Sequence, residues 1–135
     1  MKKPIIFLVS TFFLNLIWEN AQSFLYQPHG DVSTAFLRCV FASLGDVLIV
    51  GILYLIISLV FRSFYWFLEM DVRKWLSLVI FSVIFAMGVE WWGIGAYRWV
   101  YADMMPMIPF TNIGLVPVLQ MIVLNPIILF IIRTI

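Results

Sequence analysis

Residues 35–61 read AFLRCVFASLGDVLIVGILYLIISLVF, an apolar run broken by only two charged side chains, Arg38 and Asp46. A helix needs about 20 largely apolar residues to cross a hydrocarbon core of roughly 30 Å, so this run is a membrane span with length to spare. The surplus implies either tilt or an end that protrudes. Three further runs of the same kind cover residues 4–24, 75–99 and 113–132. The expected fold is therefore an all-α integral membrane four-helix bundle, a single domain over residues 1–135. Composition agrees, because 64% hydrophobic residues, 11% charged residues and a mean hydropathy of +1.09 cannot be hidden beneath a polar surface.

Orientation follows from the Lys and Arg residues, which are retained on the cytoplasmic side. Lys2, Lys3, Arg62, Arg73, Lys74 and Arg133 fall on one side of a four-span arrangement, and only Arg38 and Arg98 fall towards the other. Both termini are thus expected in the cytoplasm. The linker 62–75, with Tyr65, Trp66 and Trp75 beside Glu69 and Asp71, reads as an interfacial segment at the inner headgroups. Lys2-Lys3 before an apolar stretch and Ala21-Gln22-Ser23 imitates a cleavable signal peptide. Asn15 and Glu19 inside that stretch argue that it is retained as a span.

Eight Lys plus Arg against seven Asp plus Glu leave no basic surface for a nucleic acid backbone, so no nucleic acid partner is expected. One cysteine, Cys39, and one histidine, His29, exclude a disulfide-exchange pair and a Cys/His zinc site. Neither a cofactor nor a metal centre is expected.

The informative residues are polar ones placed where lipid should be. Asn15, Trp18, Glu19 and Gln22 follow an i, i+3, i+4, i+7 spacing and so share one face of the first helix. A carboxylate near the middle of a span costs about 2.5 to 3.5 kcal/mol on insertion scales, so that face should look inward. Asp46 lies near the midplane of the second run beside Gly45, which would let another helix approach closely. Intramembrane aspartyl proteases use two aspartates that share a proton, and here Asp46 is alone among the aspartates in the spans. Glu90 lies about two turns from the end of the third run. Gly88, Gly93 and Gly95 around it suggest close packing, while Trp91, Trp92, Trp99 and Tyr101 read as an outer aromatic belt. In the fourth run Gly114, Pro117, Gln120 and Leu124 share a face, and Pro117 would free a backbone carbonyl one turn before it. The candidate ligand-binding or ion-pathway residues are therefore Glu19, Gln22, Arg38, Asp46, Glu90, Arg98 and Gln120, all in the outward half or near the midplane. Three acids against two arginines would permit two ion pairs and leave one carboxyl over. A purely structural polar core fixing helix register fits the same residues, and no catalytic residue is assigned.

Trp18-Glu19-x-x-Gln22 with Tyr26, Gly45-Asp46-Val47-Leu48-Ile49, and Trp99-x-Tyr101-x-x-x-Met105-Pro106-x-x-Pro109 before Gly114-Leu115-x-Pro117-x-x-Gln120 resemble the motifs of a family of small four-helix bacterial inner-membrane proteins of uncharacterised activity. The resemblance covers the ends of helices one and four, the start of helix two and the third loop, and its last block is the most specific. It implies a bacterial inner-membrane location and no activity. That family often carries a His-Cys pair before Gly-Asp; here Arg38-Cys39 stands upstream instead, so histidine chemistry is not carried over.

Three functions fit this pattern. The first is a pocket that binds or passes a small ligand or cation through Glu19, Asp46 and Glu90. The second is a membrane-embedded enzyme acting on a lipid or lipid-linked substrate, with Glu19 or Glu90 as base and Arg38 or Arg98 on an anionic headgroup; no activated nucleophile accompanies it. The third is an accessory or assembly subunit that docks a partner through the apolar loop 101–112, which could otherwise fold over the pocket as a lid. Membrane lipids are the expected surroundings. The small size of the chain favours a homo-oligomer or a larger membrane partner.

Overall fold

A computed structural model describes residues 2–27 and 31–135; His29 lies outside them. Four helices make up the chain: α1 (Lys2–Gln22), α2 (Val32–Val60), α3 (Val72–Gly95) and α4 (Leu115–Thr134). All four are long and apolar enough to cross a membrane, consistent with a multi-pass membrane protein. Short 3₁₀ turns at Ser23–Leu25 and Trp66–Leu68 sit in the connections.

The helices form a ring in which α1 packs on α2 and α4, and α3 packs on α4 and, least extensively, on α2. One end of the bundle carries the ends of α1 and α4 at Lys2 and Thr134 and the 61–71 linker; the other carries the connection 96–114 and residues 23–27. Half of α4 is buried, against at most 28% of any other helix, so α4 is the hub. Towards the termini end its core is mainly apolar: Leu53, Ile57, Leu78 and Ile128 are each at most 2% exposed. In lipid there is no hydrophobic drive between helices, so close packing and interhelical polar contacts must specify the arrangement. Thr11, Ser43 and Ser82, all fully buried, supply the small side chains that such packing needs.

Each helix end has a local cause. Asp31 caps α2, its carboxylate accepting from the Thr34 backbone N–H at 2.9 Å and from the Thr34 hydroxyl at 2.7 Å; Asp71 caps α3 through the Lys74 N–H at 2.9 Å. α2 starts 14 residues before Asp46, whereas Glu19 and Glu90 lie three and five residues from the ends of their helices. At 1.5 Å per residue α2 overhangs its neighbours by roughly 13 Å. The surplus length of the 35–61 run is therefore an overhang, and Val32, Phe36 and Leu37 are exposed on it.

α3 ends at Gly95, four residues earlier than its hydropathy predicts, and a Schellman motif ends it. The Arg98 N–H donates to the Gly93 carbonyl at 2.8 Å, the Tyr97 N–H to the Ile94 carbonyl at 3.2 Å, and Tyr97 adopts φ 53°. α2 ends the same way at Arg62, with φ 52° and a bond of 3.0 Å from the Ser63 N–H to the Ser58 carbonyl. A left-handed conformation costs a residue with a Cβ about 1 kcal/mol relative to glycine. Tyr97 is 88% exposed and has little packing to lose. Tyr97→Gly should therefore raise stability by about 1 kcal/mol, seen as a higher midpoint of thermal unfolding in detergent, and an unchanged or lower midpoint would refute this account of the α3 terminus.

Other local expectations are corrected. Pro117 falls in the first turn of α4, where its missing N–H leaves nothing unpaired, and the Ile113 carbonyl accepts from the Ile108 N–H at 2.9 Å. Gly45, Gly88 and Gly95 have open space where a Cβ would stand, so of the four glycines read as packing positions only Gly93 is one. The linker is not wholly interfacial either. Tyr65 is exposed, but Trp66 and Phe67 are buried at 2% and close the termini end of the bundle, where Tyr54 stacks against both and donates its hydroxyl to the Phe64 carbonyl.

Candidate functional site: an acidic pocket at the bundle centre

The site grows from one amide. Gln120, 3% exposed and six positions into α4, places its Nε2 at 2.8 Å from Asn15 Oδ1, 3.1 Å from Glu19 Oε1 and 3.2 Å from Asp46 Oδ2. Its own Oε1 accepts from Gln22 Nε2 at 3.1 Å. Orientation along this chain is set from both ends. The Trp18 indole, which can only donate, donates to Gln22 Oε1 at 3.1 Å, and Asn15 Nδ2 donates to the Thr11 carbonyl, which can only accept, at 2.8 Å. Every amide between them is therefore fixed, with donors aimed at the acids. The i, i+3, i+4, i+7 face read from the sequence of α1 is the face that meets Gln120.

Gln120 Nε2 has two hydrogens and three acceptors around it. Gln22 Nε2 also reaches Glu19 Oε1 at 3.2 Å, and Glu19 and Asp46 both approach the one Gln120 Nε2. The cluster holds more acceptors than donors. Two carboxylates drawn to one amide repel each other unless one of them carries a proton.

Glu90, 7% exposed, faces the same space from α3. Both of its donors fall on Oε2: Trp99 Nε1 at 3.1 Å and the Tyr101 hydroxyl at 2.5 Å. Because α3 stops at Gly95, the chain turns back and lays the Trp99 ring across Gly93, where a Cβ would stand 2.0 Å from it. Trp99 and Tyr101 are thus inward-facing donors, whereas Trp91 and Trp92, 75% and 55% exposed, keep the outward position expected of a belt. Tyr101 is held by a short antiparallel bridge with Tyr26, in which the Gln27 N–H donates to the Val100 carbonyl at 2.9 Å and the Ala102 N–H to the Leu25 carbonyl at 2.8 Å. The two connections are so joined beside Glu90. Burial, followed by the charge of Glu90, holds the Tyr26 hydroxyl above the ordinary phenol range, and burial with the bond to Glu90 does the same for Tyr101. Both remain protonated at physiological pH.

Comparisons with protein-family models, with curated proteins and with solved structures return no match.

Glu19, Asp46, Glu90 and Gln120 line one cavity of about 40 Å³, completed by apolar side chains such as Ile49 and Met121. At 10–15 Å³ per water, it has room for about three waters. The two arginines are not part of it. Arg38 lies exposed on the α2 overhang, and Arg98 is exposed with its guanidinium 5.7 Å from the Trp92 ring centre. The two ion pairs expected from the sequence are absent among the described residues, because α3 unwinds before Arg98 and the overhang carries Arg38 beyond the neighbouring helices. Among the described residues no group of three His, Cys, Asp or Glu side chains is arranged to hold one metal ion. Of the seven sequence candidates the structure brings together Glu19, Gln22, Asp46, Glu90 and Gln120. Asn15 joins them, and Trp99 and Tyr101 are the donors that hydropathy concealed by placing them in a span end and a belt.

Proposed function

We propose that the protein binds a small monovalent cation in the acidic pocket, in exchange with a proton shared by Glu19 and Asp46, and passes it across a bacterial inner membrane. The observation that carries this reading is the three carboxyl groups on one small cavity that, among the described residues, no Lys or Arg lines. Intramembrane acids are too costly to retain without a compensating partner, and protein cations do not provide it here. The cavity volume favours an ion or protons over a metabolite, since sites for drug-sized ligands enclose roughly 300–1,000 Å³. With the termini in the cytoplasm, as the Lys and Arg distribution implies, the pocket lies in the outward half and the apolar layer of Leu53, Ile57, Leu78 and Ile128 separates it from the inner face. Passage then requires that layer to part, in a homo-oligomer or with a larger membrane partner.

Purified protein reconstituted into vesicles with a trapped pH indicator tests the proposal. A jump in external Na⁺ or K⁺ should drive proton release, with the rate at least tenfold lower in Glu19→Gln and in Asp46→Asn at unchanged thermal stability. Wild-type rates in Glu19→Gln, or no proton movement with Na⁺, K⁺ or NH₄⁺ in the unaltered protein, would sink it.

A further inference from the structure

Towards the termini end from the acidic pocket lies a second cavity of about 10 Å³. Its nearest lining residues stand one helical turn from the acidic pocket on α4 and α2, where Asn125 follows Met121 by four residues and Val50 follows Asp46 by four, and two turns from it on α3, where Leu78 precedes Ala86 by eight. Its wall is apolar, formed by side chains such as Phe7, Leu53 and Ile128, with polar exceptions in Tyr54, Trp66 and Asn125. The Tyr54 hydroxyl is committed to the Phe64 carbonyl. Trp66 Nε1 and Asn125 Oδ1 are fully buried and, among the described residues, without a partner. One is a donor and the other an acceptor, and both residues border the same space.

A buried unpaired polar atom costs about 1–3 kcal/mol, so two of them beside one void call for a shared partner. The void decides which. It matches about one probe sphere, enough for a single water and too small for a hydrated ion or an organic molecule. Asn125 Nδ2 donates to Ser82 Oγ at 2.8 Å, which leaves Oδ1 to the cavity. Were the amide turned over, an N–H would face the cavity instead. A water serves both cases, accepting from Trp66 and then either donating to or accepting from Asn125. A direct Trp66–Asn125 bond serves only the first.

We infer that this cavity is a binding site for one ordered water molecule, which accepts from the Trp66 indole N–H and bridges it to Asn125. The water joins Asn125 and Ser82 to the Trp66–Leu68 turn, inside a wall otherwise formed mainly by apolar side chains. Asn125-Pro126 and the aromatic linker thereby acquire a joint role that neither has alone.

NMR of the full-length protein labelled with ¹⁵N at its indoles tests the site without perturbing it. The Trp66 signal is identified by its loss in Trp66→Phe and by its contact with the Tyr54 ring, 5.8 Å away. The expected result is cross-relaxation between the Trp66 N–H and a long-lived water, with exchange into D₂O at least tenfold slower than at exposed Trp91. A Trp66 N–H with no water signal, or one exchanging as fast as Trp91, would overturn the inference. Thermal melts add a second measure: Trp66→Phe and Asn125→Leu should each lower the midpoint, and the double variant should melt no lower than the weaker single one, whereas strictly additive losses would count against a shared water. Both readouts are independent of proton flux, so a protein that moves no cation can still hold this water.

Discussion

Gln120→Leu is expected to destabilise the bundle by about 3 kcal/mol, well above the average of roughly 0.6 kcal/mol measured for interhelical hydrogen bonds in membrane proteins. The excess comes from position. Most such bonds join two side chains, and the unfolded helices find substitutes, but Gln120 lies within hydrogen-bonding distance of Asn15, Glu19, Gln22 and Asp46. Asn15, 1% exposed, would be left with a stranded buried oxygen at about 1–3 kcal/mol, and Gln22, 4% exposed, would keep Glu19 but lose its interhelical acceptor at about 1 kcal/mol; the half-buried carboxyls can recruit water from the cavity and add less. The measurement is unfolding of the reconstituted or detergent-solubilised protein. Gln22→Leu in the Gln120→Leu background should then cost less than it does alone, because its main interhelical partner is already gone. A loss under 1 kcal/mol in Gln120→Leu would mean that the network does not hold α4 to α1 and α2, and that helix packing alone specifies the ring.

The same network explains why part of the site is legible in the sequence. Helical periodicity is a property of one segment, so Asn15, Trp18, Glu19 and Gln22 could be placed on a common face from spacing alone, and the insertion cost of Glu19 turned that face inward. Asp46, Glu90 and Gln120 were visible for the same energetic reason. What could not be read was where a helix stops for a backbone reason. Hydropathy runs on through Tyr97, Arg98 and Trp99, yet the 93–98 hydrogen bond ends α3 at Gly95 and reverses the chain, which sends Arg98 outward and brings Trp99 and Tyr101 in. The faint signal was Gly93 six residues before Trp99, a small residue where an indole returns. The arginines failed for a complementary reason. A count of charges pairs Arg38 with an acid, but pairing needs equal height, and the overhang of α2 takes Arg38 out of reach.

Gly93→Ala should produce the second large effect, a loss of about 3 kcal/mol together with displacement of Trp99. The added methyl would lie 2.0, 2.2 and 2.5 Å from three atoms of the indole ring. These atoms belong to a rigid bicycle, so relief requires the whole side chain to move. Forcing an extra carbon into a packed site costs about 1–3 kcal/mol, and the Trp99 Nε1 bond to Glu90 Oε2, 3.1 Å long, is lost with it, adding roughly 1 kcal/mol or more because the acceptor is a carboxyl. Glu90 then keeps Tyr101 as its one donor, and the chain reversal after Gly95 loosens. The melt should fall and Trp99 fluorescence should shift to the red as the indole enters a wetter environment. Trp99→Ala separates this cause from general disruption of α3. In the unaltered protein it removes a packed ring and is destabilising; in the Gly93→Ala background the ring is already displaced, so the second substitution should cost at most half as much. Additive losses, or a Gly93→Ala protein that melts like the unaltered one with unshifted emission, would show that the indole does not rest on Gly93 and that Glu90 is held from elsewhere.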